Sequence, residues 1–216
     1  MEFELILAHG LGQTSAAWNA VLPHLSDIGR VHTPELSEFI GGGTYGEMFS
    51  GFCSYIDRVL SEKGGQVYLC GLSLGAVLCL DYAAHYPERV AGLTLFAPQY
   101  KMPAFLLRVQ SLIFRLMPEK QFSGSGLTKK QFLSLTGSMV HIDLTPSLDK
   151  IQCRTVIACG ESDKANIKAA RKLSGLLADS DFLTVGGAGH EANIDDPEKT
   201  ANIINAALNA HSNSSI

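Results

Sequence analysis

Short, continuous apolar runs alternate along the chain with longer stretches of helical periodicity. Residues 3–8, 30–34, 66–71, 90–97, 154–160 and 182–186 have the length and composition of buried strands. Between and after them, residues 15–26, 45–62, 74–86, 164–178 and 197–210 carry helical patterns. Asp196 before Pro197 reads as an N-cap followed by a first-turn proline, and His85, Tyr86 and Pro87 form a stop signal. Such alternation predicts an α/β fold, a three-layer sandwich with a mostly parallel sheet of about six strands and helices on both faces. Ligands in such sheets bind beyond the carboxyl ends of the strands, so the residues just after each strand carry the functional question.

One segment breaks the alternation. In "FLLRVQSLIFRLMP" the apolar residues Phe105, Val109, Leu112 and Leu116 share one helical face, with Arg108 and Arg115 on its flank. "LTKKQFLSLTGSMV" offers a second helix with Thr128 as N-cap. Residues 99–147 are therefore expected to be a small helical lid inserted between two parts of one core, 1–98 and 148–216. The terminal "HSNSSI" reads as a polar tail.

Composition narrows the class. Of 216 residues, 46% are hydrophobic and 18% charged, which fits a globular domain. The net charge of −4, without a dense Lys/Arg block, argues against nucleic acid or an anionic membrane as the main partner. Five cysteines in no ligand-like spacing fit reduced, buried thiols, and neither a metal nor a cofactor is expected. The start "MEFELILAHG" is too acidic and too short in its apolar run for a signal peptide, and no stretch approaches the ~20 apolar residues of a transmembrane helix. A cytoplasmic protein is expected.

The strand ends carry the chemistry. "HGLG" (residues 9–12) follows the first strand, "GLSLG" (71–75) the third, "GESD" the fifth and "GGAGH" the sixth. Ser73, Asp163 and His190 thus emerge on one sheet edge. Serine needs a base within hydrogen-bond reach to act as a nucleophile. His190 is the best placed of seven histidines; His9 is expected to brace the glycine loop, and His141 in the insertion is the other candidate base. Asp163 would hold the His190 tautomer, and it could also cap the following helix; Glu161 sits closer to the strand and should point elsewhere. A β-carbon at Gly71 or Gly75 is expected to meet the neighbouring strand or helix.

This arrangement resembles the α/β-hydrolase superfamily, in particular its small lidded serine hydrolases of carboxylesterase type. Gly-x-Ser-x-Gly at a strand-to-helix turn and the chain order Ser, Asp, His are signatures of that fold. "HGLG", Trp18, "PERVAGLTLFAP", "GESD" and "GAGHEAN" extend the resemblance over nearly the whole chain. Most members begin with an antiparallel hairpin before the strand leading to the His-Gly loop. Met1 lies almost at that strand, so a pared-down sheet of six parallel strands is expected.

The resemblance implies catalytic Ser73, Asp163 and His190, and an oxyanion hole from the backbone N–H groups of Leu11 and Leu74, whose side chains would shape the pocket floor. It also implies a lid over Ser73, with Phe105, Leu106, Leu112, Ile113, Phe114 and Met117 as candidate lining for an acyl group. The expected activity is cleavage of an uncharged carboxylic ester, a small-molecule substrate with a small or medium apolar acyl group. A menaquinone-pathway synthase-like lyase that eliminates pyruvate on the same triad is the alternative. Such enzymes carry an arginine shortly after the serine, where this chain has Val77, although Arg108 and Arg115 could compensate. A non-catalytic hydrolase-fold ligand receptor is the alternative of another class.

Overall fold

The computed structural model describes residues 3–26, 31–102 and 114–214. Six strands, β1 (Phe3–Ala8), β2 (Val31–His32), β3 (Gln66–Leu72), β4 (Val90–Phe96), β5 (Thr155–Gly160) and β6 (Ser180–Val185), form one sheet. Their order is β2-β1-β3-β4-β5-β6, and every pairing is parallel. The register sets Leu5 beside Tyr68, Leu93 beside Thr155 and Ile157 beside Phe182.

The near-continuous apolar strand runs have a simple cause: both faces of the sheet are covered. Successive strand residues point to opposite faces. Ile6, Val67, Leu69, Ile157 and Cys159 enter one buried cluster with α1 (Tyr45–Lys63), α2 (Leu74–His85), α3 (Lys129–Met139) and α4 (Ile167–Ser174). Leu5, Leu7, Tyr68, Cys70 and Val156 enter the other, with Trp18. The one-turn α5 (Ala192–Asp195) and the long α6 (Pro197–Ser214) close that second face. From Leu74 through Ala84, α2 is buried all round, as an enclosed helix must be if it is apolar on every side.

Element boundaries follow the sequence pattern except where local chemistry interrupts it. The predicted helix at 15–26 is two 3₁₀ turns, Ser15–Trp18 and Leu22–His24. Pro23 lacks the N–H that a continuous helix would use, and its ring would clash with the carbonyl four residues back. Residues 164–178 yield only α4, because the chain first turns around Asp163 and Gly175 closes the far end. The capping proposals hold. Asp196 accepts the Lys199 N–H at 3.0 Å, and Thr128 forms a reciprocal capping box with Gln131. The predicted helix through Phe105, Val109 and Leu112 lies outside the described residues, as do Arg108, Leu106 and Ile113.

The two ends of the 99–147 segment are pinned to each other. Lys101 and Asp143 form an antiparallel bridge and an ion pair of 2.8 Å. Leu144 N–H donates to the Tyr100 carbonyl at 2.7 Å and Met102 N–H to the Ile142 carbonyl at 3.0 Å.

Candidate active site

At the end of β3 the chain turns so sharply into α2 that Ser73 adopts φ 52° and ψ −110°. A side-chain-bearing residue rarely occupies this region. The neighbouring glycines make the turn possible. A β-carbon on Gly71 would sit 2.4 Å from the Gly75 carbonyl carbon, and one on Gly75 only 2.1 Å from the Ala8 carbonyl oxygen. The helix start is thus pressed against both β3 and the end of β1, and Ser73 projects from the tip.

Asp163 and His190 reach this tip from β5 and β6. His190 Nδ1 lies 2.7 Å from Asp163 Oδ2, and His190 Nε2 lies 3.0 Å from Ser73 Oγ. A carboxylate only accepts, so Nδ1 carries the proton and Nε2 is left to accept from the serine hydroxyl. Asp163 is buried, whereas the His190 ring is partly open to solvent. Burial pushes the Asp163 carboxyl up, but hydrogen bonds from His190 and from the Asn166 side chain and backbone outweigh it and hold the group below its usual range. Asn166 Nδ2 donates to both carboxylate oxygens at 2.9 Å, and its backbone N–H reaches Oδ1 at 3.2 Å. Asp163 therefore both faces the histidine and caps the turn leading into α4. Glu161 points elsewhere, accepting the Gly187 N–H at 3.2 Å. Behind the carboxylate, burial raises the Cys159 thiol to about 12, so it stays protonated, with its sulfur 3.8 Å from Asp163 Oδ2.

The loop carrying His190 comes close to β5 because residue 160 is glycine. A β-carbon there would stand 1.9 Å from the Gly189 carbonyl oxygen. The loop also turns through Gly187 at φ 82°.

On the other side of Ser73, His9 braces the glycine loop. It accepts the Leu36 N–H at Nε2 (3.1 Å) and donates from Nδ1 to the Gly10 carbonyl (2.9 Å). Among the described residues, neither Leu11 N–H nor Leu74 N–H makes a hydrogen bond. Leu74 opens α2, where the helix dipole favours negative charge.

A cavity of about 360 Å³ opens above Ser73 and His190. Leu11 and Leu74 line it, together with Val77, Met102, Phe114 and Phe132. Gln99 and Asn166 supply polar edges, and Gln99 Nε2 donates to Asn166 Oδ1 at 2.8 Å. Among the described residues no Lys, Arg, Asp or Glu lines this cavity. Met117 packs on the core beside Phe114, while His141 is exposed and not part of the lining. No three His, Cys, Asp or Glu side chains converge as a metal-binding set among the described residues. Nor is any helix of the described residues long and apolar enough to cross a membrane.

The model of the alpha/beta hydrolase family matches residues 5–203. The chain belongs to this family. Among curated relatives, a pimeloyl-[acyl-carrier protein] methyl ester esterase from Aromatoleum aromaticum is 32% identical over 108 residues, covering 50% of this chain and 41% of that protein. The chain spans about two-fifths of the length of the curated relatives it matches first. Among solved structures, the enol-lactonase from Burkholderia xenovorans LB400 superposes with a TM-score of 0.81 at 16% identity, covering 97% of this chain and 92% of that one. A thermophilic esterase from Thermogutta terrifontis gives 0.75 at 22% identity, over 97% and 90%. At these identities the structural matches establish a shared hydrolase fold.

Several residues of this alpha/beta hydrolase site escape sequence reasoning. Asn166 stands three residues after Asp163, a spacing at which an Asx-type turn brings an amide back to a carboxylate. Gly160 reads only as the end of a strand. Gln13, Asn193 and Glu191 form hydrogen bonds across nearly the full chain length, and nothing local marks them.

Proposed function

We propose that the chain is a serine hydrolase cleaving a carboxylic ester through an acyl-enzyme on Ser73. One observation carries this reading: an unbroken hydrogen-bond chain from Ser73 Oγ through His190 to the buried Asp163, at the floor of an apolar cavity. In this mechanism Ser73 Oγ attacks the ester carbonyl while His190 Nε2 takes its proton. The N–H groups of Leu11 and Leu74 receive the negative charge that develops on the carbonyl oxygen. As the tetrahedral intermediate collapses, the imidazolium returns the proton to the leaving alcohol. Water then enters, loses a proton to His190 and attacks the acyl carbon, and Ser73 is restored as the acid departs. Asp163 keeps the imidazole aligned and stabilises its charged form throughout.

The substrate proposed is an uncharged ester with a small or medium apolar acyl group, in keeping with the cavity lining. Residues 1–98 and 148–216 would form the core and 99–147 the lid. The esterase name of the curated relative supports ester cleavage. A lyase acting on a polyanion would need cations at the cavity, where Val77 stands; Arg115 is exposed and outside the lining.

The test is hydrolysis of p-nitrophenyl butyrate together with labelling by a fluorophosphonate. The protein is expected to turn over the ester and take one label. Ser73→Ala should abolish labelling and lower kcat by at least ~10³-fold. Ester turnover that survives this substitution would reject the mechanism, and a protein that binds esters without cleaving them would favour the receptor reading.

A further inference from the structure

The Leu11 N–H and the His190 imidazole lie on loops that the sheet alone connects poorly. The first loop follows β1 and the second follows β6, with β3, β4 and β5 between them. A buried side-chain amide joins them directly. Gln13 Oε1 accepts the Gly10 N–H at 3.0 Å. On its other end, Gln13 Nε2 donates to Glu191 Oε1 at 2.9 Å and to Asn193 Oδ1 at 3.2 Å. Asn193 is fully buried; its Nδ2 reaches back toward Gln13 Oε1 at 3.4 Å and donates to the Ala17 carbonyl at 3.1 Å. Glu191 and Asn193 are one and three residues past His190, and Gly10 immediately precedes Leu11.

We propose that Gln13 is a positioning residue that clasps the Leu11 loop to the His190 loop, fixing the oxyanion donor relative to the base. The proposal rests on the serine-hydrolase reading. Gln13 is not among the cavity-lining residues, so its influence passes through the two loops. A primary amide suits the task because it accepts at one end and donates twice at the other. Gly10 and Asn193 are buried and Glu191 is exposed, so the Gly10 N–H and the Asn193 amide lack a solvent substitute when the clasp is removed. An offset of a fraction of an ångström between donor and base weakens the transition state much more than substrate binding.

The experiment compares the parent with Gln13→Met, which keeps the side-chain length and removes both functions. Active sites are counted by fluorophosphonate labelling, so unfolded protein drops out of the rate. Expected for Gln13→Met is a fall in kcat per labelled site of about 10- to 100-fold, with KM within twofold. Affinity for a trifluoromethyl ketone, which Ser73 converts to a tetrahedral oxyanion, should fall in parallel. A kcat per site within twofold of the parent, or a loss expressed through KM alone, overturns the proposal. Should Gln13→Met fail to fold, Gln13→Glu carries the test. That variant still accepts from Gly10 but sets a carboxylate against Glu191. Its kcat relative to the parent should rise as pH falls from 8 to 5, and a flat ratio overturns the proposal. A parent that is inert, or active without Ser73, would instead refute the hydrolase reading and so be told apart.

Discussion

Asp163 concentrates several demands on a single carboxylate. It aligns His190, receives the Asn166 amide and caps the turn into α4 while buried beside Cys159. Its folded-state pKa lies below the usual value, so it contributes stability that is present above the unfolded pKa of about 3.9. That contribution disappears as pH falls through the folded value. Unfolding free energies of the parent and Asp163→Asn should therefore differ most at pH 5 and converge toward pH 2, which urea titrations at each pH would measure. A gap that widens in acid would contradict the assigned direction. The three central residues were legible in the sequence because their chemistry restricts residue type and the glycines flag their turns. Gln13 and Asn166 were not, since an amide is common on any loop and gains meaning only from what folding brings beside it. The crowding at residue 160 was hidden for the same reason: the Gly189 carbonyl that a β-carbon would strike is 29 positions away in the chain (189 − 160).

Among the elements, α3 is the part of the 99–147 segment whose support is clearest. Thr128 Oγ1 accepts the Gln131 N–H at 3.2 Å while Gln131 Oε1 accepts the Thr128 N–H at 3.0 Å. One face of the helix brings Phe132, Thr136 and Met139 to the cavity. At its far end Ser138 Oγ accepts the N–H of Tyr45, the first residue of α1, at 2.8 Å. Thr128→Ala should cost about 1 kcal/mol of stability, read as a lower urea midpoint, with kcat for p-nitrophenyl butyrate unchanged. No shift in midpoint would mean that the box contributes nothing to the fold. This helix and its cap were readable because Thr and Gln three residues apart ahead of an apolar pattern constitute a local signal. The 15–26 region misled because its apolar spacing persists across Pro23, and the covalent constraint of that one ring outweighs periodicity. The cores of β1, β3, β4 and β5 matched closely, since burial on both faces leaves a run too apolar to read otherwise. The edge strands differ: β2 is only Val31–His32, and the largely exposed β6 begins at Ser180.

Over the whole molecule, the acidic chain presents a site whose described lining contains no Lys, Arg, Asp or Glu. An acyl chain ending in a carboxylate would leave water without gaining a counter-ion. The ratio kcat/KM for a p-nitrophenyl ester of hexanoic acid should exceed that for the mono-ester of adipic acid by at least ~10-fold at pH 7.5. Equal values would indicate a cation at the cavity and restore the polyanion reading.

The bridge between Lys101 and Asp143 has a consequence for how such a chain diversifies. Because the polypeptide departs and returns at adjacent points, the contour between them is a nearly free parameter. Doubling its length adds only about 0.6 kcal/mol of closure entropy. Insertions and deletions there can thus be absorbed while the strand register beneath, and Ser73, Asp163 and His190 at its edge, stay untouched.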